Sequence, residues 1–124
     1  MNKNSLTLAY IGDSIYEVYI RKYLIEKGLI KVNDLQKEAI KYVSAKAQAN
    51  YLKYLIDYDL LDKEEKEIAY RARNHSSKHK PKNTSIVVYK LATGLEAIIG
   101  YLYLEARFDR IKQLMDIIVN VMEM

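Results

Sequence analysis

The 124-residue sequence has no cysteine, one proline (Pro81) and only four glycines. Without cysteine there can be no disulfide and no thiolate metal site, and a reducing compartment fits. So few prolines and glycines leave little to interrupt long elements, and no stretch alternates apolar and polar residues as a half-buried strand does. There is no Gly-rich phosphate loop, no nucleophile elbow and no Ser/His/Asp pattern, and internal repeats and low-complexity segments are also missing. Asp13 and Glu17 fall within the first twenty residues, so a signal-peptide core is excluded. The apolar run from Leu91 to Leu104 is too short and too interrupted to span a bilayer. A cytoplasmic protein without a membrane partner is the expectation.

What is present is helical. Half of the residues are hydrophobic and 29% are charged, the profile of a soluble globular chain, and Leu, Ala, Lys, Glu and Ile recur at helical spacing. The length suits one domain spanning residues 1–124, an all-α bundle of about six helices. The first helix runs from a Ser5 cap to near Gly28, unless Asp13 caps a helix beginning at Ser14. Asn33-Asp-Leu-Gln36 has capping-box spacing for a helix to about Val43. Ser44 caps another, from Ala45 to about Asp57, with Ala45, Ala49, Leu52 and Ile56 on one face. Asp62-Lys-Glu-Glu65 is a second capping box, opening a helix to about Ala72. Residues 74–84 read as an exposed loop, Thr84 or Ser85 starts a helix to about Leu104, and Asp109 caps the last, with Ile111, Leu114, Met115, Ile118 and Met122 as its buried stripe.

Three features point to chemistry. Glu96 is the only charge in the run from Leu91 to Leu104, and an ionised carboxylate there costs several kcal/mol to bury unless compensated. Asp13 is likewise embedded in apolar surroundings, beside Gly12, which costs roughly 1 kcal/mol in a continuous helix and so suggests close approach of another backbone. If the two helices pack antiparallel the carboxylates can meet, and two such groups repel unless a cation lies between them. Oxygen donors alone select a hard ion, Mg²⁺ or Mn²⁺. The alternative is that Glu96 simply points out of the core.

The third feature is charge. Residues 71–95 carry six basic side chains (Arg71, Arg73, Lys78, Lys80, Lys82 and Lys90) and no acid, leaving 14 basic against 16 acidic residues elsewhere. The basic excess is therefore concentrated in one stretch, as for a polyanion-binding patch, although a solvated loop has the same composition. A Mg²⁺-carboxylate site beside such a patch suggests phosphodiester hydrolysis. His75 and His79 lie in the loop without a third ligand, which argues against zinc. Most of the twelve tyrosines, including Tyr16, Tyr19, Tyr23, Tyr101 and Tyr103, fall at core spacing rather than as a base-stacking platform.

Leu8-Ala-Tyr-Ile-Gly-Asp-Ser-Ile-Tyr-Glu17 resembles the signature helix of the ribonuclease III family, and Leu95-Glu-Ala-Ile-Ile-Gly-Tyr-Leu-Tyr-Leu104 resembles its second catalytic helix. Val43-Ser-Ala-Lys-Ala-Gln48, Arg71-Ala-Arg-Asn74 and Pro81-Lys-Asn-Thr84 are similar to the Mini-ribonuclease III branch of that family. The resemblance covers essentially the whole chain. It implies the ribonuclease III endonuclease fold, a homodimer without a separate RNA-binding domain, and Mg²⁺-dependent cleavage of double-stranded RNA in the maturation of precursor 23S ribosomal RNA. Asp13 and Glu96 match the catalytic, metal-binding carboxylates. Arg71, Arg73, Asn74, Lys78, Lys80, Lys82 and Asn83 would hold the RNA, with Lys46 and Gln48 also touching its backbone.

Full-length members carry further acids where this chain has Leu6 and Ala9, two turns and one turn before Asp13, and Thr93, one turn before Glu96. That departure implies a metal shell poorer in protein carboxylates. It also keeps open a catalytically silent RNA-binding domain of the same fold. A DNA-binding helical protein is the third reading, and no helix-turn-helix supports it.

Overall fold

A computed structural model describes residues 4–75 and 84–123. Lys78, Lys80, Lys82 and Asn83, all expected to bind RNA, lie outside the described residues, as does His79. Six α-helices follow in order: α1 (Ser5–Glu26), α2 (Val32–Val43), α3 (Ala45–Asp57), α4 (Lys63–Asn74), α5 (Ile86–Leu104) and α6 (Phe108–Glu123). There is no strand among the described residues, and the expected all-α bundle is what forms.

Local sequence accounts for most boundaries. Ser44, Asp62 and Ser85 cap α3, α4 and α5 through hydrogen bonds from Ala47 N, Glu65 N and Val88 N, and Glu65 completes its box by accepting from Asp62 N at 3.0 Å. Three expectations are corrected. Asn4, not Ser5, caps α1, accepting from Leu6 N at 2.7 Å. The box at Asn33–Gln36 does not form, because α2 already starts at Val32 behind Lys31 and places Asn33 inside its first turn. Asp109 lies in the first turn of α6 rather than at its cap, where its charge still suits the helix dipole. The helix α1 ends at Gly28, whose φ of 100° lets Gly28 N and Leu29 N return to Ile25 O and Leu24 O.

The core is built around α5, whose Ala92–Leu95 and Ala97–Gly100 segments are buried against α1, α3 and α4. By length and composition α5 could cross a membrane, but here it is the central core helix. Its longest contact is with α1. A Cβ on Gly12 would overlap the Glu96 carbonyl oxygen and lie 2.8 Å from Gly100 N, while one on Gly100 would overlap the Leu8 carbonyl oxygen. The two backbones therefore touch at two matched glycines. This favours one continuous α1, and Asp13 sits in its middle rather than at a cap. The buried face of α3 is Gln48, Ala49, Tyr51, Leu52 and Leu55. Ile56, and likewise Met122 of α6 and Tyr103 of α5, are exposed contrary to expectation.

One polar contact in the core joins α6 to α4. Glu65 is completely buried, and Arg110 donates from Nε to Oε2 and from Nη2 to Oε1, both at 2.8 Å, with Nη2 also reaching Leu60 O at 2.8 Å. Removing one partner of such a pair leaves an uncompensated buried charge. Arg110→Ala should therefore destabilise the chain by about 3 kcal/mol, measured by chemical denaturation, with Arg110→Lys recovering part of the loss but not the fork geometry.

Candidate active site

The crossing of α1 and α5 brings Asp13 and Glu96 together. Asp13 is exposed at the rim of the crossing, and Glu96 is half-buried, its backbone carbonyl packed against Gly12 next to Asp13. Burial, then the shared hydrogen bond with Asp13 and its charge, push the Glu96 carboxyl from 4.5 up to about 9, and Glu17 adds to the shift. The Gln48 amide works in the opposite direction, favouring the ionised form. Among the described residues neither Asp13 nor Glu96 takes part in an ion pair. Glu17, the nearest further acid along α1, pairs with Arg21 at 3.2 Å.

The positions where acids are missing are closed. Ala9 is buried, Leu6 is half-buried, and Thr93 turns its hydroxyl back to Tyr89 O at 2.8 Å. Among the described residues no cluster of three or more His, Asp or Glu side chains could hold a metal ion. Two carboxylates forced against each other do, however, suit a hard divalent cation, because oxygen donors and net negative charge are what such an ion selects. Asp13 and Glu96 would hold it, with solvent and substrate oxygens completing the shell.

A pH dependence follows. The unfolded chain releases the Glu96 proton near 4.5 and the folded, metal-free chain keeps it to about 9, so between these values the native state binds more protons. Stability then falls as pH rises through that window. Metal-free thermal melts should show this decline between about pH 5 and about pH 8, and Glu96→Gln should flatten it.

Of the residues expected on the RNA side, Lys46 is exposed in the first turn of α3, and Arg71, Arg73 and Asn74 are exposed at the end of α4. Gln48 is a correction. It is only 2% exposed, so it cannot reach an RNA backbone, and its amide nitrogen instead donates to Val43 O at 3.0 Å. The rotation of α3 turns Gln48 inward, toward the end of α2. His75 ends α4 half-buried. Two interior features leave no signal in the sequence. Tyr16 Oη donates to Tyr42 O at 2.7 Å, and the buried Tyr51 hydroxyl has no partner among the described residues.

The ribonuclease III domain model matches residues 6–107, which include both carboxylates and the crossing between them. The chain belongs to the ribonuclease III family. It is 45% identical to Mini-ribonuclease 3 of Thermoanaerobacter sp. (strain X514) over 123 residues, covering 99% of this chain and 85% of that one. It is 42% identical to Mini-ribonuclease 3 of Streptococcus pneumoniae, covering 97% of this chain and 94% of the relative. A crystal structure of a Fusobacterium nucleatum protein superposes with a TM-score of 0.84 at 37% identity, covering 96% of this chain and 93% of that one. Family membership carries the endoribonuclease class and agrees with the helical fold.

Proposed function

We propose that this chain is a Mg²⁺-dependent endoribonuclease that cuts double-stranded RNA, with Mn²⁺ as a possible substitute. The observation that carries the reading is the juxtaposition of Asp13 and Glu96, two carboxyl groups that the close crossing of α1 and α5 holds so near that Asp13 helps to keep the proton on Glu96. A cation bound there would activate a water and offset charge on the phosphodiester. Asp13, at the rim, faces the incoming phosphate, while Glu96, half-buried, is anchored on the core helix and sets the depth of the site. Exposed cations at Lys46, Arg71 and Arg73 suit RNA, whose A-form duplex is read through its phosphates and 2′-hydroxyls.

Precursor 23S ribosomal RNA as the natural substrate and a cytoplasmic location rest on the resemblance to the Mini-ribonuclease III branch. Homodimerisation has a physical support as well. Tyr10, Val18 and Ile25 on α1 and Val32 and Ile40 on α2 are all exposed, a density of surface apolar groups that a second copy would cover.

The test is incubation of the purified chain with end-labelled duplex RNA and, separately, duplex DNA, with Mg²⁺ present. Internal cuts in RNA alone, leaving a 5′-phosphate, are expected. Binding of RNA without cleavage in Mg²⁺ or Mn²⁺ would favour the silent RNA-binding reading. Arg71→Ala with Arg73→Ala should weaken RNA binding and flatten the slope of log affinity against log salt by about one for each phosphate no longer neutralised. An unchanged slope would mark these arginines as solvated surface.

A further inference from the structure

Three donors meet on one carboxylate oxygen at the tip of α6. Glu123 Oε1 accepts from Tyr23 Oη and, at 2.7 Å, from Lys27 Nζ, both at the C-terminal end of α1, and from Tyr42 Oη of α2 at 3.2 Å. The donors also hold one another. Lys27 Nζ lies 5.3 Å from the centre of the Tyr23 ring, and the Tyr23 and Tyr42 rings meet edge to face at 5.9 Å. A lone exposed ion pair contributes little, but a carboxylate that gathers a cation and two hydroxyls ties three segments into one network. The residues joined to Glu123 stand at least 81 positions from it in the chain, so no local helical preference places them together.

The helix with most to gain from this network is α2, which packs on α1 and α3. Tyr42 is its only buried residue, against nine in α5. Val32 and Ile40 are exposed, and a cleft of about 480 Å³ separates α2 from α1, with Leu24 and Ile25 on one wall and Leu35 and Ala39 on the other. A helix that buries so little apolar surface opens before the rest of the fold does. Its last turn is held from inside by Tyr16 Oη on Tyr42 O and by Gln48 Nε2 on Val43 O. From outside it is held by Glu123 on the Tyr42 hydroxyl.

We propose that Glu123 is a latch on α2: while it is closed α2 stays docked on α1, and when it is released α2 opens locally and the crossing of α1 and α5 keeps its packing. The latch has a consequence for assembly. Val32 and Ile40 of α2 are exposed together with Val18 and Ile25 of α1, and a docked α2 keeps these groups on one continuous apolar face. Release of α2 breaks that face and disfavours self-association. This consequence rests on the reading of the face as one that a second copy covers, whereas the latch itself does not.

Amide hydrogen exchange of the full chain, resolved by residue, tests the latch. In the wild type the α2 amides should be protected about 100-fold less than those of the buried turns of α5, because α2 opens without the core. In Glu123→Ala the α2 amides should exchange about 10-fold faster again, the latch being broken before they open. Lys27→Met, which keeps the stem and removes the charge, should accelerate the same amides by a smaller factor. An α2 as well protected as α5 in the wild type, or α2 exchange indifferent to Glu123→Ala, overturns the proposal. Sedimentation of Glu123→Ala should also shift toward monomer relative to the wild type. A monomeric wild type whose α2 exchange nevertheless accelerates in Glu123→Ala would sink the second-copy reading and leave the latch standing.

Discussion

Gly12→Ala should leave the chain largely unfolded at 37 °C, with a loss exceeding about 4 kcal/mol, a large part of the 5–15 kcal/mol that holds a typical domain together. A methyl group at Gly12 has no room to relax, because it meets the Glu96 backbone carbonyl and, at 2.8 Å, the Gly100 amide nitrogen. Side chains can rotate away from an added atom, but two helix backbones can only separate, and separation would open the contact on which the core is built. Gly100→Ala should behave alike through the Leu8 carbonyl. Gly28→Ala is the contrast. Among the described residues nothing lies within 4 Å of its new Cβ, and only the φ of 100° is unfavourable, so the cost should be about 1–2 kcal/mol. Circular dichroism melts of the three variants would show two collapses and one modest shift.

Asp13→Asn should lower the rate of RNA cleavage by about 10³-fold, equivalent to about 4 kcal/mol of transition-state stabilisation, while leaving RNA binding nearly unchanged. Its effect on stability should run the other way. Asp13 raises the Glu96 pKa by hydrogen bond and by charge, so above about pH 9, where Glu96 is ionised as well, the metal-free native state carries a repulsion that asparagine removes. The variant should therefore melt higher there than the wild type in chelator, and the difference should shrink when Mg²⁺ is added. A purely structural Asp13 would give the opposite order. Function and stability trade against each other at this pair, as is common where charges are gathered for catalysis.

How much of the molecule is legible in its sequence depends on the range of the interaction. The caps at Ser44, Asp62 and Ser85 are local, each settled within three residues, and the sequence shows them correctly. The box at Asn33 and the cap at Asp109 mislead, because capping residues also fit inside a first turn and the sequence does not say which side of them the helix begins. Gly12 is legible as a close-approach residue, but its partner is not. Gly100 becomes meaningful only where α1 and α5 cross. Sequence places Gln48 on the RNA surface because it falls in the same motif as Lys46, which is exposed. Its actual direction depends on the rotation of α3 about its axis, which a short apolar pattern fixes poorly. The Glu65–Arg110 pair leaves no trace in the sequence, since Glu65 already has a local role in the α4 cap and its partner lies on α6.

The central claim is that Asp13 and Glu96 form one divalent-cation site. Calorimetric titration of the RNA-free protein with Mn²⁺ tests it most directly. The wild type should bind Mn²⁺, and Asp13→Asn and Glu96→Gln should each abolish that binding while remaining folded. Binding of undiminished affinity in either variant would contradict the claim.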